Sequence, residues 1–292
     1  MESSKNHLFC FGMGYCAKAL ARLLPADSWT VSGSSRSVVA APPTIALHVF
    51  DGSQPMAEAA QLLAGVSHLL ITAGPGAEGD PTLAWHRRDI EQCKALKWVG
   101  YLSTTGVYGN TDGALVTEDA ALNPSSARSQ NRVEAETAWL QLLESAEVPV
   151  HIFRLPGIYG PGRSALDQVQ AGRIRRIDKP GHKFSRIHVD DIAQTLAASM
   201  ARPDPGRIYN VCDDEAASPA DVMAHACTLL QVPVPAAVPY AQASQDMSPM
   251  ALSFWQDNRR VDNGRIKAEL GVRLRYPSYR EGLAAIHQEM ES

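Results

Sequence analysis

The chain has 292 residues, 45% of them hydrophobic and 20% charged, enough for one large domain or two modest ones with a proper core. Its formal net charge of −4 lacks the basic footprint of a nucleic-acid partner, and no apolar run approaches the ~20 residues that cross a bilayer. A polar start over residues 1–7, an apolar run at 8–11 too short for a signal-peptide core, and five scattered cysteines without a CxxC pair predict a soluble chain of the reducing cytoplasm.

Taken in chain order, residues 7–11 read as a buried strand and 15–24 as a helix, with Ala17, Leu20, Ala21 and Leu24 on one face. Strands at 29–33 and 44–50, a helix at 56–63 and a strand at 68–72 follow. A helix at 83–96, a strand at 99–103, a helix from about 130 to 145 and a strand at 150–155 complete the first half. This βαβ rhythm with continuous apolar strands predicts an α/β fold: a Rossmann-type, doubly wound parallel sheet covered on both faces. Beyond it, 190–200 reads as a helix and 207–211 as a strand. Ser218-Pro219-Ala220-Asp221 reads as a helix start, 232–249 as a loop, and 261–270 as a helix stopped by Gly271. Residues 1–155 are thus expected to form the dinucleotide-binding domain. Residues 156–292 would form mainly a smaller mixed α/β substrate region, with 186–212 returning to the first domain.

Gly12-Met13-Gly14-Tyr15-Cys16-Ala17 follows a strand and opens a helix, the context in which a glycine pair holds a pyrophosphate at a helix N-terminus. In an NAD site a carboxylate stands ~20 residues farther on to hold the ribose hydroxyls. Here that stretch reads Gly33-Ser34-Ser35-Arg36-Ser37, with no acid. Arg36 and the serine hydroxyls suit a 2′-phosphate, which predicts NADP(H) ahead of NAD(H). A solvated surface arginine is the plainer alternative.

Four further segments carry a resemblance: Tyr101 to Gly109 (YLSTTGVYG), Phe153 to Gly162 (FRLPGIYGPG), Arg186 to Ala193 (RIHVDDIA) and Tyr209-Asn210-Val211. With the glycine turn, in this order, they resemble the extended short-chain dehydrogenase/reductase family, also described as NAD-dependent epimerase/dehydratase-like. The resemblance implies cofactor contacts at Asp51, Thr72, Ala73, Gly74 and Ser103, a substrate-facing hydroxyl at Thr104, and a homodimer through the helices at 83–96 and 130–145. It breaks at the family's YxxxK pair. Glu136 sets the register, which places Arg128 at the tyrosine position and Arg132 at the lysine position and resembles the atypical subgroups.

Arginine has no accessible neutral form near neutral pH, so Arg128 cannot replace tyrosine as a general acid–base. It can hold a carboxylate or phosphate, or stabilise an oxyanion. Alternatively both arginines pair with Glu134 or Glu136. Tyr108 and His188 are then the candidate proton relays, although His188 serves equally as a buried fastener of the helix that follows it. Arg163, Lys179, Lys183 and Arg186 add positive charge and suggest a small anionic substrate. No spacing resembles a metal site, and Asp190-Asp191 reads as a helix-dipole pair. The expected function is an NADP(H)-dependent oxidoreductase or epimerase/dehydratase-like enzyme acting on a small carbonyl or hydroxyl compound. The alternative, which the missing pair supports, is a non-catalytic NADP(H)-binding sensor or assembly protein.

Overall fold

A computed structural model describes residues 5–38 and 44–291. In chain order it runs β1 (Asn6–Phe11), α1 (Tyr15–Leu23), β2 (Trp29–Ser35), β3 (Ile45–Val49), α2 (Ala59–Leu63), β4 (His68–Ile71), α3 (Pro81–Gln92) and β5 (Trp98–Thr104). A 3-10 turn at Thr105–Tyr108 leads to the short β6 (Leu115–Val116), the long α4 (Ala127–Ala146) and β7 (Val150–Leu155). The second half runs β8 (Gly157–Tyr159), α5 (Ala165–Gln170), β9 (Ile177–Asp178), β10 (Arg186–His188), α6 (Val189–Ala201), β11 (Ile208–Asn210) and α7 (Pro219–Leu229). It ends with β12 (Val238–Pro239), α8 (Tyr240–Ala243), α9 (Pro249–Gln256), β13 (Arg260–Val261), α10 (Gly264–Leu270) and α11 (Tyr279–Glu291).

Seven parallel strands form the central sheet in the order β3-β2-β1-β4-β5-β7-β11. Every residue of β7 is buried, as a strand covered on both faces requires. On one face Ala17 and Leu20 of α1 pack with Ile192 and Leu196 of α6. On the other, Leu63, Ile90, Trp139 and Leu142 come from α2, α3 and α4. The chain winds outward through β2 and β3, then returns to β4. The winding therefore reverses between β1 and β4, and the carboxyl ends of the strands there border the crevice where such sheets place ligands.

The smaller lobe packs α5, α7 and α11 around Leu166, Met223, Cys227, Leu283 and Ile286. Three small parallel pairs, β8 with β10, β9 with β12 and β6 with β13, tie it together. Two expectations change here. Residues 232–249 are not a plain loop: the Val238 amide donates to the Arg176 carbonyl at 2.8 Å, which sets β12 beside β9. The helix expected over 261–270 begins only at Gly264, because Val261 is taken by pairing with Val116. Among the described residues no helix is long and apolar enough to cross a membrane.

Candidate functional site

The glycine turn is built from backbone geometry. Gly12 has φ +94°, and a Cβ there would fall 2.5 Å from the Thr72 hydroxyl. That hydroxyl donates to the Gly12 carbonyl at 2.6 Å. The Gly12 amide donates to the Ser34 hydroxyl at 3.1 Å, and the Met13 amide to the Ser34 carbonyl at 2.7 Å. Ser34 is buried, so its expected place as an open phosphate donor is corrected: its hydroxyl accepts from the Gly12 amide and shapes the turn from within. Thr72 and the Met13 amide are likewise internal supports.

The ligand-facing donors are those of α1. Gly14 supplies no side-chain cap to its first turn, and a Cβ added at Gly14 would meet nothing within 4 Å. A helix start with uncapped amides under open space fits a pyrophosphate. Tyr15 leans from that start to the smaller lobe, donating to the Pro161 carbonyl at 3.0 Å. At the end of β2, Ser35 donates to the Ser37 carbonyl, and Arg36 is exposed with no hydrogen-bond or ion-pair partner among the described residues. Asp51, also exposed, accepts from the amide and hydroxyl of Ser53.

Beside the ends of β5 and β8 lies a cavity of about 490 Å³. Ser103, Thr104, Arg128 and Arg132 all line it, so four of the expected residues meet there. Thr104 is half-buried, and its hydroxyl accepts from the Gly106 amide at 3.1 Å, which leaves the Thr104 proton to donate. Arg128, near the start of α4, is exposed and its guanidinium has no partner among the described residues. Arg132 crosses to the sheet: Nη1 donates to the Leu102 carbonyl at 2.7 Å and the Tyr101 hydroxyl at 3.2 Å, and Nη2 lies against Gly74, 2.8 Å from where a Cβ would stand. Neither arginine pairs with the acids of its own helix. Glu134 accepts from Gln130, and Glu136 is held by Arg154 and Ser103.

Two expected proton relays are corrected. Tyr108 is fully buried, accepts from Arg154 Nη1 at 2.8 Å and donates to Asn210 Oδ1 at 2.8 Å. Burial raises its pKa further, and it does not reach the cavity. His188 caps α6 with Nδ1, which accepts from the Asp190 amide at 3.2 Å. Its ring lies against Tyr276 and Tyr159, and burial lowers its pKa to about 4 despite nearby Asp190. Both side chains fasten the scaffold. Ser103 is a support as well as a wall, since its hydroxyl donates to Glu136 at 2.5 Å.

Of the expected basic residues, Arg163 and Arg186 line the cavity, while Lys179 is spent on the Trp255 carbonyl at 2.6 Å and Lys183 stands outside. Sequence reading missed Ser129, Asp257 and Arg259. Asp257 is the only carboxylate on the described wall; its Oδ2 accepts from Ser125 at 2.8 Å and from Arg259 at 2.6 Å. No motif marks these two, because they arrive on the segment after α9. Ser129 had a signal, as one end of the Ser126-x-x-Ser129 start of α4, where the Ser126 hydroxyl accepts from the Ser129 amide.

The model of the NAD dependent epimerase/dehydratase family matches residues 83–212. A structure described as a functionally unknown conserved protein from Silicibacter pomeroyi DSS is 47% identical, spans 99% of this chain and 100% of its own, and superposes with a TM-score of 0.87. The chain belongs to the NAD dependent epimerase/dehydratase family. Protein YeeZ of Escherichia coli (strain K12) is 27% identical over 213 residues, 69% of this chain and 75% of that protein. The dTDP-glucose 4,6-dehydratase of Bacillus anthracis str. Ames, solved in complex with NAD, shares the fold at a TM-score of 0.76 with 16% identity, covering 99% of this chain and 97% of its own.

Proposed function

We propose that this chain is an NADP(H)-dependent oxidoreductase or epimerase/dehydratase-like enzyme of the atypical type, acting on a small anionic carbonyl or hydroxyl substrate. The observation that carries the reading is the open cavity beside Thr104, where Arg128 presents a guanidinium with no hydrogen-bond or ion-pair partner among the described residues and Arg163, lying over the Tyr15 ring, adds a second positive charge. A sensor has no need of such a cavity. The uncapped start of α1, the open space over Gly14 and the exposed Arg36 support the cofactor: the first would take the pyrophosphate and the last the 2′-phosphate. When bound, the nicotinamide supplies or accepts a hydride.

The protein's part is positioning and charge. Thr104, whose hydroxyl oxygen accepts from the Gly106 amide and whose proton is free, donates that proton to the reacting oxygen. Arg128 faces the same oxygen or an adjacent carboxylate and stabilises the negative charge that develops there, the kind of donor whose removal costs ~10²–10³ in rate. Arg132, anchored on Leu102 and Tyr101, holds the edge of the cofactor site as a fixed cation. Arg128 cannot supply a proton, so the proton enters from solvent through the exposed mouth of the cavity at Arg128.

The test is a titration with NADPH and NADH, followed by a screen of small carbonyl carboxylates for oxidation of bound NADPH. Turnover is expected in the parent chain. In Arg128→Ala it should fall at least a hundredfold, with NADPH affinity unchanged. Full activity in that variant would remove Arg128 from the mechanism.

A further inference from the structure

A second cavity, also of about 490 Å³, adjoins the first and shares only Gly157, Ile158, Arg163 and Arg186 with it. Its wall is apolar where the smaller lobe's helices meet: Val222 and Met223 come from α7, Tyr279 and Leu283 from α11. Its charged lining is mainly cationic. Arg163, Arg173, Arg175 and Arg186 stand against a single carboxylate, Asp167.

That carboxylate is already engaged. Asp167 Oδ2 accepts from the Ser164 amide at 2.7 Å and the Ser164 hydroxyl at 2.5 Å in the capping box of α5. Arg186 is also committed, donating to the carbonyls of Phe184 and Ala217. Arg173 and Arg175 are not. Both are exposed on the stretch between α5 and β9, and neither guanidinium has a hydrogen-bond or ion-pair partner among the described residues. Two like charges two residues apart repel one another, and among the described residues neither is held by a salt bridge. A hollow of this size with an apolar wall and a few convergent charges has the make-up of a small-molecule site. Planar guanidinium forks match carboxylate, sulfonate and phosphate oxygens.

We propose that this cavity is a second ligand site, for an amphipathic organic anion whose apolar body lies against α7 and α11 and whose anionic head is held by Arg173 and Arg175. Because Arg163 and Arg186 line both cavities, filling the second one bears directly on the cationic wall of the first. The site does not depend on the NADP(H) reading.

The test uses 8-anilinonaphthalene-1-sulfonate, an aromatic sulfonate, titrated by fluorescence against the full chain. Binding of one dye per chain is expected. The affinity should drop at least tenfold in Arg173→Ala/Arg175→Ala, which removes the head contacts, and at least tenfold in Val222→Trp, which fills the apolar wall. A smaller loss in the double arginine variant overturns the proposal. So does an equal affinity of the parent chain for uncharged N-phenyl-1-naphthylamine. The arginines are exposed, so the double variant decides the matter even if Val222→Trp does not fold.

Discussion

Arg36 follows the last residue of β2 at the same end of the sheet as the glycine turn, exposed and without a hydrogen-bond or ion-pair partner among the described residues, with no acid between Ser34 and Val38. Under the proposed reading it separates the two nicotinamide cofactors by one charge-assisted contact. Such a contact is worth about 1.5–3 kcal/mol, roughly ten- to hundredfold in affinity. NADPH should therefore bind tighter than NADH by that factor, and Arg36→Ala should bring the two within about threefold. Equal affinities in the parent chain would refute the assignment. Residue chemistry of this kind is legible in sequence because it rests on what a side chain is. Partners are a different matter. Tyr108 had the right chemistry for a proton relay, but its role is set by neighbours far along the chain, Arg154 and Asn210. His188 takes the other role weighed for it, fastening α6 through the Asp190 amide, with Tyr276 packed on its ring. Burial takes both out of the chemistry, and burial is not visible in a local motif.

At the scale of elements, the pieces around the site are joined by one buried ion pair. Glu136 of α4 binds Arg154 of β7 at 2.7 Å, and it also accepts from Ser103 of β5. One pair thus joins a helix to two strands of the sheet, and through Ser103 it fixes the wall of the cavity. Removing one partner leaves the other charge buried and uncompensated, a loss of about 3–5 kcal/mol. Arg154→Met should lower stability by that amount in urea unfolding. The double variant Glu136→Leu/Arg154→Met should recover much of the loss, because the desolvation of both charges disappears together. A double variant as unstable as the single would show that the pair is not the unit. The periodic helices and the apolar strands were legible because their pattern is local. The small strand pairs were not, since β12 is ordered by β9 and β13 by β6, partners far apart in sequence. The last helix, α11, has a start that its sequence marks: the amide and hydroxyl of Ser278 both donate to Glu281, a Ser-x-x-Glu spacing.

At the scale of the whole molecule, burial of titratable groups sets how stability follows pH. Burial lowers His68, His151, His182 and His188 to about 4, from an ordinary value of 6.5. Their folded-state pKa is depressed, so the unfolded chain takes up protons first. Their contribution is complete from about pH 7.5 and is lost as pH falls toward 4. Asp213 has the opposite sign. It is buried, both its carboxylate oxygens lack a hydrogen-bond partner, and burial pushes it up to about 8 against the pull of Arg186. The folded chain therefore holds a proton that the unfolded chain has already released, and the stability this gives is lost as pH rises through 8. Unfolded histidines are half protonated at pH 6.5 and close to neutral only from about pH 7.5, so their rising contribution opposes the Asp213 decline below that point. Asp213 is isolated by difference: relative to a variant that lacks its titration, the parent chain should lose stability between pH 6.5 and 8 with a slope approaching about 1.4 kcal/mol per pH unit at the lower end. Asp213→Asn keeps the shape of the protonated acid without its titration. Urea unfolding of both chains at pH 6.5, 7.0, 7.5 and 8.0 should give a parent-minus-variant difference that falls steadily with pH, because the histidine contribution is common to both. A difference that stays constant across the window would mean that the Asp213 carboxyl is ionised in the fold, held by Arg186.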